Sequence, residues 1–306
     1  MTGEPQKVGH ADAFQVIGLD LSDAGEFRGG LLDVNGTLLA RAVEALDGAT
    51  GPAAVAKVVQ LCRRLVRDAT APLLGIGVGS PGVVDSHGSV ETAPNLGWFD
   101  LPLQGVLIDH FEVPVIVVND ADAALLAEYS FGDTDDDMML VKVGHGVGAS
   151  LLLAGAPLAG SMNAAGEIGH VIAGDDGGPR CVCGKQGCLE TWLAVPRLHA
   201  RLAEVGVDPA TAADSAAGRA VLAEAGRRLG LVLAPVIAAL NVSDVVLSGP
   251  ENLLDGTFVQ ATLDTVRART LSTYTAELSL RMTVLGEDNV MRGAAVTVVS
   301  QELGFS

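Results

Sequence analysis

Residues 167–190 read EIGHVIAGDDGGPRCVCGKQGCLE, and this stretch holds three of the chain's four cysteines together with one histidine. His170, Cys181, Cys183 and Cys188 follow the spacing HxxxxxxxxxxCxCxxxxC. Three thiolates and one imidazole are the ligand makeup of a closed tetrahedral zinc site. The segment GDDGGPRCVCGKQGC carries too few apolar side chains to order itself, so a bound metal is what would give it a fixed shape. The alternative is disulfides or three inert thiols, and a CxC pair is too close to bridge easily to itself. Two carboxylates bracket the set: Glu167 stands three residues before His170, and Glu190 two after Cys188. Fixing the metal would fix both beside an imidazole, which makes a structural zinc the scaffold of a polar pocket.

Composition bounds the body around that pocket. With 306 residues, 49% hydrophobic and 18% charged, the chain can bury a large core and is long for one compact domain, so two lobes are expected. The formal charge of -18 repels phosphate backbones and argues against direct nucleic-acid binding by this chain. The longest uncharged apolar run, 229–240, is too short to span a bilayer, and the opening MTGEPQKVGHAD lacks the apolar core of a signal peptide. A soluble, cytoplasmic protein with no membrane role is expected, and few cysteines clustered at metal spacing suit a reducing compartment. Cys62 falls on the apolar face of AAVAKVVQLCRRLVR with Val55, Val58, Val59 and Leu65, which places it in the core.

Along the chain, strands are expected at 14–19, 28–34 and 37–43, with turns at Asp23 to Gly25 and at Asn35-Gly36, giving an antiparallel opening. A helix over 52–67, a strand at 73–78, a loop through Trp98, a helix at 103–111, a strand at 114–118 and a helix over 121–129 continue as an α/β alternation. Beyond an acidic turn, 133–137, come strands at 138–143 and 149–153 and then the cysteine segment. Helices over 190–205 and 219–239 follow, the latter containing Pro235 as a point of kinking. A strand at 244–247, a helix over 257–270, a strand at 278–285 and a final helix from 290 complete the pattern. The expected lobes are 14–119 with 290–306, and 120–289 with the zinc segment 170–188.

Gly77, Gly79 and Gly82 fit GxGxxG literally after a strand. The residues that follow, VVDSHGSVE, read as extended and not as a helix start, so the phosphate-binding geometry of that fingerprint is missing. A tight turn or close backbone approach explains these glycines better. Asn119-Asp120 ends the strand PVIVV and opens a helix, where α/β sheets present residues to a crevice. Asp120 in that position is either a general base for a sugar hydroxyl attacking a phosphoryl group or a helix N-cap.

The segments GSPGVVD (79–85), PNLGW (94–98), NDADAALLAE (119–128), EIGH (167–170) and CxCGxxGCxE (181–190), in this order, resemble the ROK family of sugar kinases and sugar-responsive repressors. The resemblance covers nearly the whole chain from Val16 onward. It implies an α/β, actin-like (ribonuclease H-like) fold of two lobes with a sugar in the interlobe cleft, and assembly into a homodimer or higher homo-oligomer. It also implies a hexose or N-acetylhexosamine held by Asn119, Asp120, Glu167, His170 and Glu190, with Asn95 lining the same cleft. In a kinase using Mg-ATP, Asp120 would be the catalytic base. His170 would serve twice, one ring nitrogen on zinc and the other toward the sugar.

The departures from the family pattern lie on the nucleotide side. Kinases of the family carry DxGGT near the N-terminus, whereas this chain reads Asp20, Leu21, Ser22, Asp23, Ala24, Gly25, Glu26. Asp23 and Glu26 add negative charge where phosphates would sit, at a cost on the order of 1 kcal/mol or more per close pair. The second phosphate loop reads Gly144, His145, Gly146, with His145 in place of the expected threonine, and Ser248-Gly249-Pro250 is a weak echo of the adenosine-side glycines. Phosphate binding by Asp20, Gly144, His145 and Gly146 is therefore expected in degenerate form.

Three readings follow: a sugar-sensing effector domain of the repressor branch, an active sugar kinase with an atypical phosphate loop, and a subunit whose zinc and cleft only maintain a dimer. The leader GHADAFQVIGLDLS resembles the junction at which such repressors pass from their DNA-binding part into the sensor. No helix-turn-helix fits the residues before the first strand, so a DNA-directed role calls for a separate domain or partner. The sensor reading is favoured, an ATP-dependent hexose or N-acetylhexosamine kinase is the runner-up, and the structural subunit ranks last because five polar cleft candidates accompany the metal ligands.

Overall fold

The computed structural model describes residues 14–174 and 177–304. Most of the leader, residues 1–13, the Asp175-Asp176 pair of the Gly-rich segment and residues 305–306 lie outside the described residues.

The described residues form two compact units, one running to Leu126 and resuming at Val290, the other spanning Ala127–Asn289. In the first unit, β1 (Gln15–Asp20), β2 (Glu26–Asp33) and β3 (Leu38–Ala45) make the antiparallel opening that the turn residues predict. At Asn35-Gly36 the glycine takes φ 82° and donates its N–H to the Asp33 carbonyl, a conformation closed to most side chains. Helix α1 (Pro52–Asp68) starts on proline, which lacks only an N–H that would be orphaned there, and buries Val58, Leu61, Cys62 and Leu65. Burial pushes the Cys62 thiol up to about 12, which makes it an inert core residue.

Strand β4 (Leu73–Ser80) lies parallel to β1. The next segment corrects the expected loop through Trp98: it is a small antiparallel sheet of β5 (Val83–Val84), β6 (Val90–Ala93) and β7 (Trp98–Leu101). Strands of two to four residues are too short to show a period-2 pattern, and their pairing depends on tertiary seating. Gly82 supplies part of that seating, since its φ of 81° and a collision of any Cβ with the Thr92 carbonyl require glycine. Helix α2 (Leu103–Ile108) ends before the expected 111, and β8 (Val115–Asn119) pairs parallel to β4. The resulting sheet order is β3-β2-β1-β4-β8. Helix α3 (Asp120–Phe131) begins where β8 ends, and the chain passes into the second unit within it.

The second unit opens with the β9 (Met138–Val143) and β10 (Val147–Leu153) hairpin, extended by the short β11 (Ala156–Pro157). The expected helix over 190–205 is broken in two, α4 (Glu190–Leu193) and α5 (Val195–Glu204), at Ala194 with ψ 136°. Pro196 has no N–H to continue the ladder, so the chain restarts with proline in the first turn of α5. Helix α6 (Ala216–Leu240) starts on a Ser215 cap and runs unbroken through Pro235. Strand β12 (Asp244–Ser248), α7 (Glu251–Leu254), α8 (Thr257–Arg267), α9 (Ser272–Thr275) and β13 (Ser279–Met282) complete a sheet of order β11-β10-β9-β12-β13.

Strand β13 stops short of the expected 285, and just beyond it the Thr283 hydroxyl donates to Glu128. The fully buried Glu128 also accepts from Arg281 at 2.6 Å, and Arg281 pairs with Asp244. Such a buried carboxylate is tolerable because both of its oxygens are engaged.

Helix α10 (Asn289–Leu303) then packs on the first sheet. Here the GxGxxG glycines find their use. A Cβ at Gly77 would collide with the Ala294 carbonyl, and one at Gly79 would press on Val290. On the other side of the same helix a Cβ at Gly293 would strike the Ala123 carbonyl of α3. These glycines allow a strand and two helices to approach backbone to backbone, and no phosphate is needed to explain them. No helix among the described residues is long and apolar enough to cross a membrane.

Candidate functional site

The segment that opens the sequence reading folds as a ligand cage in the second unit. A 3-10 turn, Ile168–His170, follows Glu167, and the chain then returns antiparallel to itself, with Leu189 N–H donating to the Val171 carbonyl and Ala173 N–H to that of Gly187. His170, Cys181, Cys183 and Cys188 offer ligand atoms that all lie within 4.8 Å of one another. Cys183 Sγ is 3.6 Å from Cys188 Sγ, and Cys181 Sγ is 3.6 Å from His170 Nδ1. A tetrahedron with metal–sulfur bonds of about 2.3 Å has edges of about 3.7 Å, so the donor set fits a tetrahedral metal. Burial pushes the Cys181 and Cys188 thiols up, while the Lys185 backbone amide lowers that of Cys183. A cation in the cage would supply the charge that holds the two buried sulfurs as thiolates.

The carboxylates that bracket the cage are both beside it. Glu167 Oε2 lies 3.9 Å from His170 Nε2, the nitrogen away from the sulfurs. Glu190, first residue of α4, has Oε1 at 3.7 Å from Cys181 Sγ, and its Oε2 accepts the Val147 N–H at 3.3 Å. It stands so close to the β9–β10 turn that a Cβ at Gly146 would come within 2.9 Å of Oε2. That turn is pinned by Gly144 N–H donating to the Gly146 carbonyl and by Val195 N–H donating to the Gly144 carbonyl. The His/Cys cage, Glu190 and the 144–146 turn are therefore one contiguous cluster. Gly166 and Gly169 permit it, since a Cβ on either would meet the backbone of β10.

In the first unit, Asn119 and Asp120 stand at the C-terminal end of β8. The cap of α3 is Asn119, whose Oδ1 accepts from Ala121 and Asp122 N–H at 2.8 and 3.3 Å. Asn119 Nδ2 donates to the Gly82 carbonyl at 2.7 Å, so this side chain ties β8, α3 and the small sheet together. Asn95 is exposed in the 3-10 turn Pro94–Leu96 between β6 and β7.

The N-terminal turn, also in the first unit, closes on its own carboxylates. Asp20 is buried and its Oδ1 accepts from Ser22 N–H at 2.9 Å and from the Ser22 hydroxyl at 2.6 Å. Asp23 Oδ1 accepts from Gly25 N–H at 2.6 Å, and Arg28 stands 3.7 Å from Asp23 and 3.3 Å from Glu26. Backbone amides of a glycine turn are what a phosphate would use, and here two of them already face carboxylate oxygens.

With this geometry in view, comparison with known proteins is decisive for the family. The ROK family model matches residues 17–301. The chain belongs to the ROK family. A glucokinase of Halalkalibacterium halodurans is 33% identical over 75% of this chain and 77% of its own length. A putative xylose repressor of Caldicellulosiruptor sp. is 29% identical over 76% of this chain, which spans only 64% of that relative. Among solved structures, a ROK family transcriptional regulator, a homolog of the E. coli MLC protein, aligns with a TM-score of 0.84 at 25% identity over 96% of this chain and 79% of that one.

The fold of this ROK protein is thus the α/β, actin-like one expected from its motifs. Kinases and repressors both stand among its relatives, so the family alone leaves its role open. The residue that sequence reasoning missed is one whose part depends on backbone placement: Val147, through its N–H to Glu190. A backbone amide has no signature in the residue type, so no signal could have found it.

Proposed function

We propose that this ROK protein is a sugar-sensing effector domain that has lost phosphoryl transfer. Zinc occupies the His170, Cys181, Cys183 and Cys188 cage and holds His170 Nε2 and Glu190 in place. The sugar, a hexose or N-acetylhexosamine, is held through its hydroxyls by Asp120, Glu167, His170 and Glu190, with Asn95 contributing and Asn119 acting mainly as the scaffold beneath Asp120. Carboxylates suit vicinal hydroxyls, and a site built on such bonds rejects ligands that lack them.

The observation that carries this reading is the self-closed N-terminal turn, where Asp20 and Asp23 occupy the Ser22 and Gly25 amides. Phosphoryl transfer depends on positioning and charge neutralisation at the phosphates, and a turn filled by carboxylates supplies neither. Similarity to a repressor and a transcriptional regulator supports the same direction. A coupled assay with Mg-ATP over a hexose panel should show no sugar-dependent turnover, while calorimetry on the same preparation shows sugar binding. The kinase reading is favoured by the 33% identical glucokinase and by Asp120 at the strand end. Robust turnover abolished by Asp120→Asn would establish it and overturn the sensor.

Glu190→Ala should weaken sugar binding by about 1.5–3 kcal/mol, the worth of a hydrogen bond to a charged group, with the melting curve little changed. Unaltered affinity across the panel would remove Glu190 from the site.

A further inference from the structure

The three sulfurs of the cage do not share the same surroundings. Cys181 and Cys188 are buried, whereas Cys183 is exposed on a loop, 182–186, whose residues are all exposed. Its Sγ stands 3.6 Å from that of Cys188, and the four residues between the two cysteines begin and end with glycine, Gly184 and Gly187. A disulfide holds its sulfurs at about 2.05 Å, so this pair has about 1.5 Å to close, within reach of side-chain rotation and two glycine hinges. Cys181 is a poorer partner. It stands two residues from Cys183, too near for an unstrained bridge, and its own sulfur lies against His170 and Glu190. The remaining cysteine, Cys62, is fully buried in the core of the first unit and does not compete.

We infer that the cage is a peroxide-sensitive switch: oxidation joins Cys183 to Cys188, releases the metal, and with it the placement of His170 and Glu190. This rests on zinc filling the cage and on the reading of the Glu167–Glu190 cluster as a sugar site, and it gives the sensor a second input. The Cys183 thiolate attacks one oxygen of hydrogen peroxide; an S–O bond forms, the O–O bond breaks and hydroxide leaves, giving a sulfenic acid. The Cys188 thiolate then attacks that sulfur; the S–S bond forms, the S–O bond breaks and a second hydroxide leaves. Two protons from solvent turn both hydroxides into water, so the two sulfurs supply the two electrons that reduce one peroxide. His170 and Cys181 are left as two donors, too few for a closed tetrahedral site. Glu190, two residues beyond Cys188 and 3.7 Å from Cys181 Sγ, loses its fixed neighbours. Small thiols reverse the bridge by exchange, and zinc then rebuilds the cage.

The test treats reduced, zinc-loaded full-length protein with hydrogen peroxide while a chromogenic chelator reads free zinc. One zinc per chain should appear as two thiols are lost. Release should run about tenfold or more faster than oxidation of glutathione under the same conditions, since a ligated sulfur is a thiolate and a free thiol is mostly protonated. Trypsin cuts after Lys185, so the bridge should hold two peptides together until reduction, with fragmentation placing it between Cys183 and Cys188. Affinity for glucose, mannose or N-acetylglucosamine, whichever the reduced protein binds, should fall about tenfold or more on oxidation and return with dithiothreitol and zinc. Cys62→Ala should behave as the parent, and Cys183→His, which keeps four ligands, should hold its zinc in peroxide. Zinc retained by the parent, release no faster than glutathione oxidation, a bridge that includes Cys181, an irreversible sulfinic acid at Cys183, or unchanged sugar affinity after oxidation overturns the inference. Should Cys183→His take up no zinc, the parent's bridge map and release rate decide. Zinc release with the 183–188 bridge in a protein that binds no sugar upholds the switch at the cage and sinks the sugar reading alone.

Discussion

Protein carrying Cys188→Ser should emerge from chelator-free purification without zinc, whereas the parent chain retains one zinc per molecule, and the variant should lose sugar binding with both main sheets intact. Cys188 is fully buried, its sulfur lies 3.6 Å from Cys183 Sγ, and its chain neighbours include Leu189, which is bonded to Val171 across the cage. A hydroxyl in its place leaves three ligands and a buried oxygen that coordinates zinc poorly. Structural zinc contributes roughly 10 kcal/mol or more in isolated fingers, and less net in a domain with its own core. The loss here falls on the Gly-rich cage, because the second unit's core is built from Met139, Leu193, Leu229, Val245, Phe258 and their neighbours. Emission from Trp192, which packs beside Gly178 of the cage, should shift on zinc removal, with the buried Trp98 of the first unit as a constant background. Elemental analysis finding no zinc in the parent protein would remove the metal from this account. Full sugar affinity in Cys188→Ser would separate the cage from the sugar site.

Gly293→Val should be among the most destabilising single changes in the first unit, costing about 3 kcal/mol and lowering the melting temperature by roughly 6–10 °C. A side chain there would enter the Ala123 backbone, which no rotamer change can relieve. On the facing side of α10, Gly77→Ala should act in the same direction through the Ala294 carbonyl. Displacing α3 also moves its first residue, Asp120, so thermal melts and sugar affinity should fall together. A melting temperature within about 2 °C of the parent would show that the helices can part without loss.

Patterns that repeat along the chain were legible without coordinates. The antiparallel opening follows from Asp23–Gly25 and Asn35-Gly36, helix α1 from its apolar stripe, and the gathering of one histidine and three cysteines from their identity and spacing. Elements without a period were not. The two- to four-residue strands β5, β6 and β7 form because Gly82 and the Asn119 side chain seat them, and the break at Ala194 depends on how Pro196 meets the preceding turn.

By itself, then, the sequence determined the family, the α/β alternation and the residue types of the site, since these rest on local preference and on the chemistry of side chains that survive any rearrangement of the backbone. Tertiary structure alone decided which donors were already spent. Asn119 caps α3, Asp20 and Asp23 fill amides of the N-terminal turn, and Glu190 takes the Val147 amide. A hydrogen bond depends on direction over a few tenths of an ångström, and that accuracy is reached only when strands, helices and glycine contacts hold both partners in place.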